Sequence, residues 1–332
     1  MKPFQDLTKT AQFRRLAVLA RHALRDYDLG EASLSPLQYI QNATWSVQCP
    51  GGQRYALRVH APRRHDTAAI RSELLWLEAL GADGFLVPAP VRTVQGGLWT
   101  TASAEGVPEA RACTLLTWVP GRFARKKRTP AILREMGRLL ARLHQQASWY
   151  RIPRSFVRPR WDRRGLLDRD AETRAGWVRL TLRQKRLFEA VGERLDEVVE
   201  QLGTGRDVFG LIHADLIFPN VLFYCGEACP IDFDDCGFGY FLYDIAILLD
   251  RIEMREDYPA LRAAMLDGYR HIRRLPREHE AYLDLFLLAR WAFLGVCFLS
   301  RPEFGTYAPR FMKIVEPKIE RYLRAAKSAK ER

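Results

Sequence analysis

No apolar run in this sequence reaches the roughly 20 residues that a bilayer-spanning helix needs. The longest, Leu285–Leu299, is interrupted by Arg290 and reads as a buried helix. The first fifteen residues, MKPFQDLTKTAQFRR, hold no apolar core of the kind a secretory signal requires, so a cytoplasmic protein is expected. Cysteine is sparse, six in 332 residues, and no two are spaced as CxxC. That excludes a disulfide framework and leaves small reduced thiols, with a metal at the Cys225–Cys229 turn as the weaker alternative. There is no GxGxxG loop, no internal repeat and no low-complexity segment apart from a charged tail ending KSAKER. Acid is the minority charge: 39 Asp and Glu against 52 Lys and Arg leave a formal net charge of +13. Basic residues cluster in Arg122–Arg128 and Arg151–Arg164, yet no zinc-finger, helix-turn-helix or RNA-binding signature accompanies them. The surface is read as solvated and attractive to an anionic nucleotide, with no nucleic-acid or membrane partner expected and a polycationic substrate disfavoured.

What is present is a core-forming chain, 48% hydrophobic, long enough for two lobes. Apolar spacing predicts a helix over Phe4–Asp26, followed by a turn region containing Gly30, Ser33, Ser35 and Pro36. Thr44–Gln48 and Arg54–His60 read as strands joined at Pro50-Gly51-Gly52. Thr67–Leu80 reads as an amphipathic helix ended by Gly81, with further strands at Val91–Val94 and Cys113–Trp118. After Pro120-Gly121 the pattern turns helical: Ala131–Gln145, then a polar, aromatic, arginine-rich connection Ser148–Arg164, then Arg174–Leu202. Short strands flank residues 211–235, and helices follow over Tyr243–Leu249, Pro259–Arg273 and His279–Ser300. The expected fold class is α+β, with a small β-rich lobe over residues 1–116 and a larger, mostly helical lobe over 117–332.

The stretch Leu211–Asp235, LIHADLIFPNVLFYCGEACPIDFDD, carries the chemistry. His213-Ala214-Asp215 is followed by Asn220, then by a predicted hairpin of Val221–Tyr224 and Pro230–Phe233. Such a hairpin brings Asn220 and Asp232 near each other on adjacent strands. A carboxamide and carboxylates are hard oxygen donors suited to Mg²⁺ shared with phosphate. Phosphoryl transfer asks a protein for positioning, metal and a cation on the phosphates, and His-x-Asp-x-x-x-x-Asn has the spacing of a kinase catalytic loop. The alternative, Asp and Asn making local turns, leaves the joint spacing of several polar groups over a loop and hairpin unexplained.

These residues resemble the aminoglycoside phosphotransferase and choline kinase superfamily of the protein-kinase-like fold, nearest its branch of type II homoserine kinases and stress-response Ser/Thr kinases. The resemblance covers about residues 30 to 300 and is specific only over 211–235. It implies Asp215 as catalytic base, Asn220 and Asp232 as Mg²⁺ ligands, and ATP as donor. It makes His213 and Asp244 supports of the catalytic loop; Asp244 also reads as a helix-terminal carboxylate. Ala214 stands where eukaryotic kinases have Arg, and no APE motif follows. Arg58 falls where the family's strand lysine lies, with Glu73 as its helix partner, and an exposed strand arginine is the plain alternative. Thr44, at the end of Gln41-Asn42-Ala43-Thr44, occupies the nucleotide loop. Thr117 and Val119, in a hinge-like LLTWVPG, are assigned backbone contacts to adenine.

The acceptor site is expected in the helical lobe. Asp234, Asp235, Tyr240, Tyr243, Arg290 and Trp291 are placed to reach it, as is the connection Phe156–Trp161, although most of these aromatics also suit a core. The arginines of Arg151–Arg164 suggest a basic lid that repels polycations. The function read from the sequence is ATP- and Mg²⁺-dependent phosphorylation of a hydroxyl on a small metabolite, homoserine-like or aminoglycoside-like. A protein Ser/Thr kinase and a nucleotide-binding pseudokinase or adaptor are the alternatives, the latter favoured only by Arg58 replacing lysine.

Overall fold

The computed structural model describes residues 2–124, 128–167 and 173–330. Part of the expected basic cluster (125–127), the side chain of Arg164 and the end of the charged tail (331–332) lie outside the described residues. The chain divides into two compact units, Met1–Gly121 with Arg151–Arg158, and Arg122–Tyr150 with Pro159–Arg332.

The first unit contains α1 (Lys9–Leu24), β1 (Ser33–Tyr39), β2 (Ala43–Gln48), β3 (Arg54–Val59), α2 (Thr67–Ala82), β4 (Thr100–Ala102) and β5 (Arg111–Thr117). Thr8 and Asp66 cap α1 and α2 by accepting the Ala11 and Ala69 amides. The five strands form an antiparallel sheet in the order β1-β2-β3-β5-β4. Strand alternation sends Trp45, Val47, Leu57, Val59 and Leu115 into one core with Leu16, Leu19, Ala20 and Ala23 of α1. The same alternation leaves Thr44, Ser46, Arg58 and Thr114 on the opposite face. Residues 151–158 pack on α2: the Val157 amide donates to Ser72 Oγ at 2.8 Å, and Arg158, 5% exposed, donates to the Ala69 carbonyl.

Several expected boundaries differ. The turn region around Ser33–Pro36 is the edge strand β1, whose register slips between Pro36 and Gln38, the kind of irregularity that lets an edge strand carry proline. Val91–Val94 is no strand, because Thr93 enters a turn closed by Gly96 and Gly97; the edge strand is β4. The first helix starts only at Lys9, after a separate 3₁₀ turn at Phe4–Asp6.

The second unit contains β6 (Arg122–Phe123), α3 (Pro130–Trp149), β7 (Arg160–Trp161), α4 (Arg163–Leu167), α5 (Arg174–Arg179) and α6 (Leu182–Leu202). Then come β8 (Phe209–Ile212), β9 (Val221–Tyr224), β10 (Glu227–Pro230), β11 (Gly237–Tyr240), α7 (Phe241–Asp250), α8 (Tyr258–Ile272), α9 (Arg277–Glu280), α10 (Leu283–Ser300) and α11 (Tyr307–Lys330). Two small sheets, β10-β9-β6 and β7-β11-β8, sit among the helices. The helix expected over Arg174–Leu202 breaks at Leu180–Thr181, where Thr181 and Gln184 form a capping box for α6. The charged tail is mostly helix: Ala308, Met312, Val315 and Ile319 bury one face of α11 at helical spacing. The apolar stretch around Leu285–Leu299 is α10, a core helix with Leu283, Leu285, Phe286 and Ala289 buried. All six cysteines are free thiols, and five of them are buried.

Candidate active site

In the first unit Arg58 lies on β3 opposite Thr44 of β2 and Thr114 of β5. Its Nη1 donates to Glu73 Oε1 of α2 at 2.7 Å, with the residues 7% and 1% exposed. Glu73 Oε2 is buried and finds no hydrogen-bond partner among the described residues. Arg58 is therefore no exposed strand arginine. Thr44 follows the tight turn Ile40–Asn42 of the β1–β2 hairpin, where Asn42 Oδ1 accepts the Ala61 amide at 2.9 Å. Thr117 gives its amide to the Ala89 carbonyl (2.8 Å) and takes the Ala89 amide on Oγ1 (2.9 Å). Val119, just beyond β5, is buried.

In the second unit β8 delivers the chain into His213-Ala214-Asp215. The fully buried Asp244, in the first turn of α7, accepts the His213 amide on Oδ2 and the Ala214 amide on Oδ1, both at 2.9 Å. Those two bonds hold Ala214 in the left-handed region (φ 63°), a conformation costly for a residue with Cβ. His144 of α3 completes the support: Nε2 donates to Asp244 Oδ2 at 3.2 Å, and Nδ1 accepts the Tyr269 hydroxyl at 2.9 Å. Burial pushes the His144 pKa down, so the ring is neutral. Burial pushes the other way on Asp244, but His144 and the amides it accepts outweigh it and keep the carboxylate ionised. His213 ties the two loops of the site, its Nδ1 accepting the Asp215 amide (3.4 Å) and its Nε2 donating to the Ile231 carbonyl (3.1 Å). Burial lowers its pKa as well.

Asp215 is held on both oxygens. Asn220 Nδ2 donates to Oδ2 at 3.0 Å and to the Asp215 carbonyl at 2.9 Å. Arg290 of α10, 4% exposed, donates to Oδ1 at 3.2 Å. Burial pushes the Asp215 pKa up to about 6 against the pull of Arg290, and Asp235 adds to the rise. A carboxylate near that value is still mostly ionised at neutral pH and can take a proton.

The hairpin differs in detail from expectation. Its second strand is Glu227–Pro230 rather than Pro230–Phe233. The Ile231 amide bonds to the Asn220 carbonyl at 2.9 Å, so Asp232 lies one residue past that rung, with a left-handed backbone (φ 64°). These residues fit a magnesium ion. Both Asn220 amide hydrogens go to Asp215, and Oδ1 accepts no hydrogen bond from the described residues, which leaves it open as a hard donor. No cluster of three His, Cys, Asp or Glu of metal-holding geometry occurs among the described residues. A metal shared with phosphates needs only one or two protein carboxylates.

The acceptor candidates separate. Tyr240 is core: buried against Phe209 and Phe286, it donates its hydroxyl to the Val199 carbonyl. Trp291 is also core, its indole N–H given to Asp250 Oδ1 at 2.5 Å. Asp234 is buried and Asp235 half-buried, with the Asp235 carbonyl accepting the Trp161 indole N–H. Of the arginines expected in a basic lid, Arg151 and Arg154 are exposed and Arg158 is buried. Residues 151–158 pack on α2, Arg160 pairs with Asp162, and Arg163 pairs with Asp196. The sequence reading missed His144 and the grip of Arg290 on Asp215. The signal for His144 was a histidine ending an otherwise apolar stripe, Leu133, Met136, Leu140, Leu143.

A sequence profile described as the phosphotransferase enzyme family matches residues 37–282. A homoserine kinase of Azorhizobium caulinodans is 29% identical over 296 residues, covering 82% of this chain and 82% of that one. Among solved structures, a microcompartment-associated aminopropanol kinase aligns with a TM-score of 0.81 at 30% identity, over 93% of this chain and 98% of its own. Amicoumacin kinase in complex with AMP-PNP, Ca²⁺ and Ami aligns with a TM-score of 0.78 at 22% identity, over 93% and 95%, which shows likeness of fold. The expected α+β, protein-kinase-like fold is borne out, as is a kinase using ATP. The chain belongs to the phosphotransferase enzyme family, as a kinase that phosphorylates an alcohol group of a small molecule.

Proposed function

We propose that this kinase carries the γ-phosphoryl group of ATP to the hydroxyl of a small amino alcohol, either simple or part of a hydroxy-amino acid. The observation that carries the reading is the grip on Asp215: a carboxylate held on both oxygens beside a carboxamide whose own oxygen is open. Asp215 orients the acceptor hydroxyl and takes its proton, while Asn220 and Asp232 hold the metal. Magnesium, when bound, bridges the phosphates and offsets their charge. In the first unit Arg58, oriented by Glu73, binds phosphate with Thr44, and the Thr117 carbonyl and Val119 amide meet the adenine edge. Asp234 and Asp235 supply the negative charge for an ammonium group.

Two features support the amine. Asp235 lies close enough to Asp215 to raise its pKa, which puts a second carboxylate near the base. The relatives named homoserine kinase and aminopropanol kinase carry, in those names, compounds with both a hydroxyl and an amine. Arg158 is buried on α2, and Arg160 and Arg163 are paired with Asp162 and Asp196, which leaves fewer cations in this stretch to favour an anion.

The test is ATP consumption with homoserine, aminopropanol, an aminoglycoside and a mixed protein substrate at equal concentration. The small amino alcohols should exceed the aminoglycoside by about tenfold or more in kcat/KM, since a site built around one ammonium leaves the others unpaired. Faster turnover of the aminoglycoside, or phosphorylation of protein alone, overturns the assignment.

A further inference from the structure

We propose that Arg290 is a positioning residue of the phosphoryl transfer, fixing the plane of the Asp215 carboxylate from the side opposite Asn220. This rests on the reading of Asp215 as the base. From Leu285 to Ser300, α10 has no charged residue except Arg290. A guanidinium in such a helix is costly to bury and persists where it is paired. Its pairing is directional: Nη2 donates to Asp215 Oδ1 at 3.2 Å and Nη1 to the Tyr243 hydroxyl at 3.3 Å. Nε is buried without a partner among the described residues, so one donor is given up to keep the fork turned toward Asp215.

The fork is itself held. Tyr243 is fully buried and stacks on Trp161 at 6.1 Å, and Trp161 is tied to the Asp235 carbonyl. An aspartate carboxylate otherwise turns freely about its last torsion, whose preference is broad. With Asn220 on Oδ2 and Arg290 on Oδ1, that rotation is closed before any nucleotide or acceptor arrives. Misplacing a reacting group by about 1 Å costs on the order of 100-fold in rate. Losing Arg290 should therefore appear in turnover and leave nucleotide binding alone.

The experiment compares wild type, Arg290→Lys, Arg290→Met, Tyr243→Phe, Asp215→Asn and the double variant Asp215→Asn/Arg290→Met. It measures kcat at saturating substrates, ATP affinity by calorimetry with Mg²⁺, and melting temperature. Arg290→Met is expected to lower kcat about 100-fold with ATP affinity little changed. Arg290→Lys should recover part of the loss, because lysine keeps the charge without the planar fork. In the Asp215→Asn background the same change should have almost no further effect, since a residue acting through another loses its influence when that other is gone. A folded Arg290→Met with wild-type kcat overturns the proposal, and so does an equal loss in both backgrounds. If Arg290→Met does not fold, Tyr243→Phe decides: it loosens the fork without stranding a charge, and an unchanged kcat overturns the proposal. Asp215→Asn turning over at the wild-type rate removes Asp215 as the base and this inference with it. An inactive Asp215→Asn beside a fully active Arg290→Met overturns the inference alone.

Discussion

Arg58 stands where kinases usually carry lysine, and its setting decides what the replacement means. The pair with Glu73 is buried on both sides, its side chains 8% and 1% exposed. Glu73 Oε2 is already without a partner, so truncating Arg58 would strand a whole carboxylate in the interior. Breaking a buried pair in this way costs about 3–5 kcal/mol. Arg58→Ala should therefore lower the melting temperature and raise the KM for ATP strongly, whereas Arg58→Lys should keep part of both. Equal KM for ATP in all three proteins would make Arg58 purely structural and revive the adaptor reading. The residues that sequence could name are those close along the chain: Asp215, Asn220 and Asp232 lie within one short stretch. Arg290 and His144 reach the site from 75 and 100 residues away, a relation that exists only after the helices pack.

Single elements were legible where periodicity was strong and unlegible where composition disguised it. Residues 307–330 are dense in charge and contain Pro317, yet four buried side chains at helical spacing make them a helix. The strand β1 was hidden by Pro36 and its serines, since nothing local announces an edge strand that is mostly exposed. The crossing of α3 and α8 shows how an element sets the site. A Cβ on Gly268 would lie 2.0 Å from the Arg134 carbonyl, and one on Gly137 2.1 Å from the Met265 carbonyl. The two glycines let the backbones touch, and the same pair of helices carries His144 and Tyr269. Gly268→Ala gains up to about 1 kcal/mol in helix propensity. A clash with backbone is the larger effect, with overpacking typically costing about 1–3 kcal/mol. The variant should melt lower and lose kcat through the loosened His144–Asp244 support, with the KM for ATP unchanged. A melting temperature above that of wild type would show that the helices separate without cost.

At the scale of the whole molecule, the interior of the second unit is poised for neutral pH. His144 and His213 are buried, and burial lowers both pKa values below the ordinary 6.5. The unfolded chain binds protons at these histidines as pH falls through 6.5, while the folded protein resists them, so the unfolded state is the more protonated. Stability therefore rises with pH across that window and falls in acid, by at most about 1.4 kcal/mol per pH unit for each histidine. Asp244 acts in the same direction at lower pH. Its folded pKa lies below the ordinary 3.8, so the stability it contributes is present above that value and lost as pH falls through the folded one. Asp215, raised to about 6, takes its proton in the folded state first and opposes about one of the two histidines over this window. The melting temperature measured at fixed ionic strength should therefore be level from pH 8 to 7 and decline by the remainder between pH 6.5 and 5. Constant salt matters because a chain of net charge +13 repels itself more as acid adds protons. Repeating the series at high salt separates the causes. Self-repulsion is screened away, whereas the penalty for charging two buried imidazoles persists, and a decline that vanishes in high salt would remove His144 and His213 as its source.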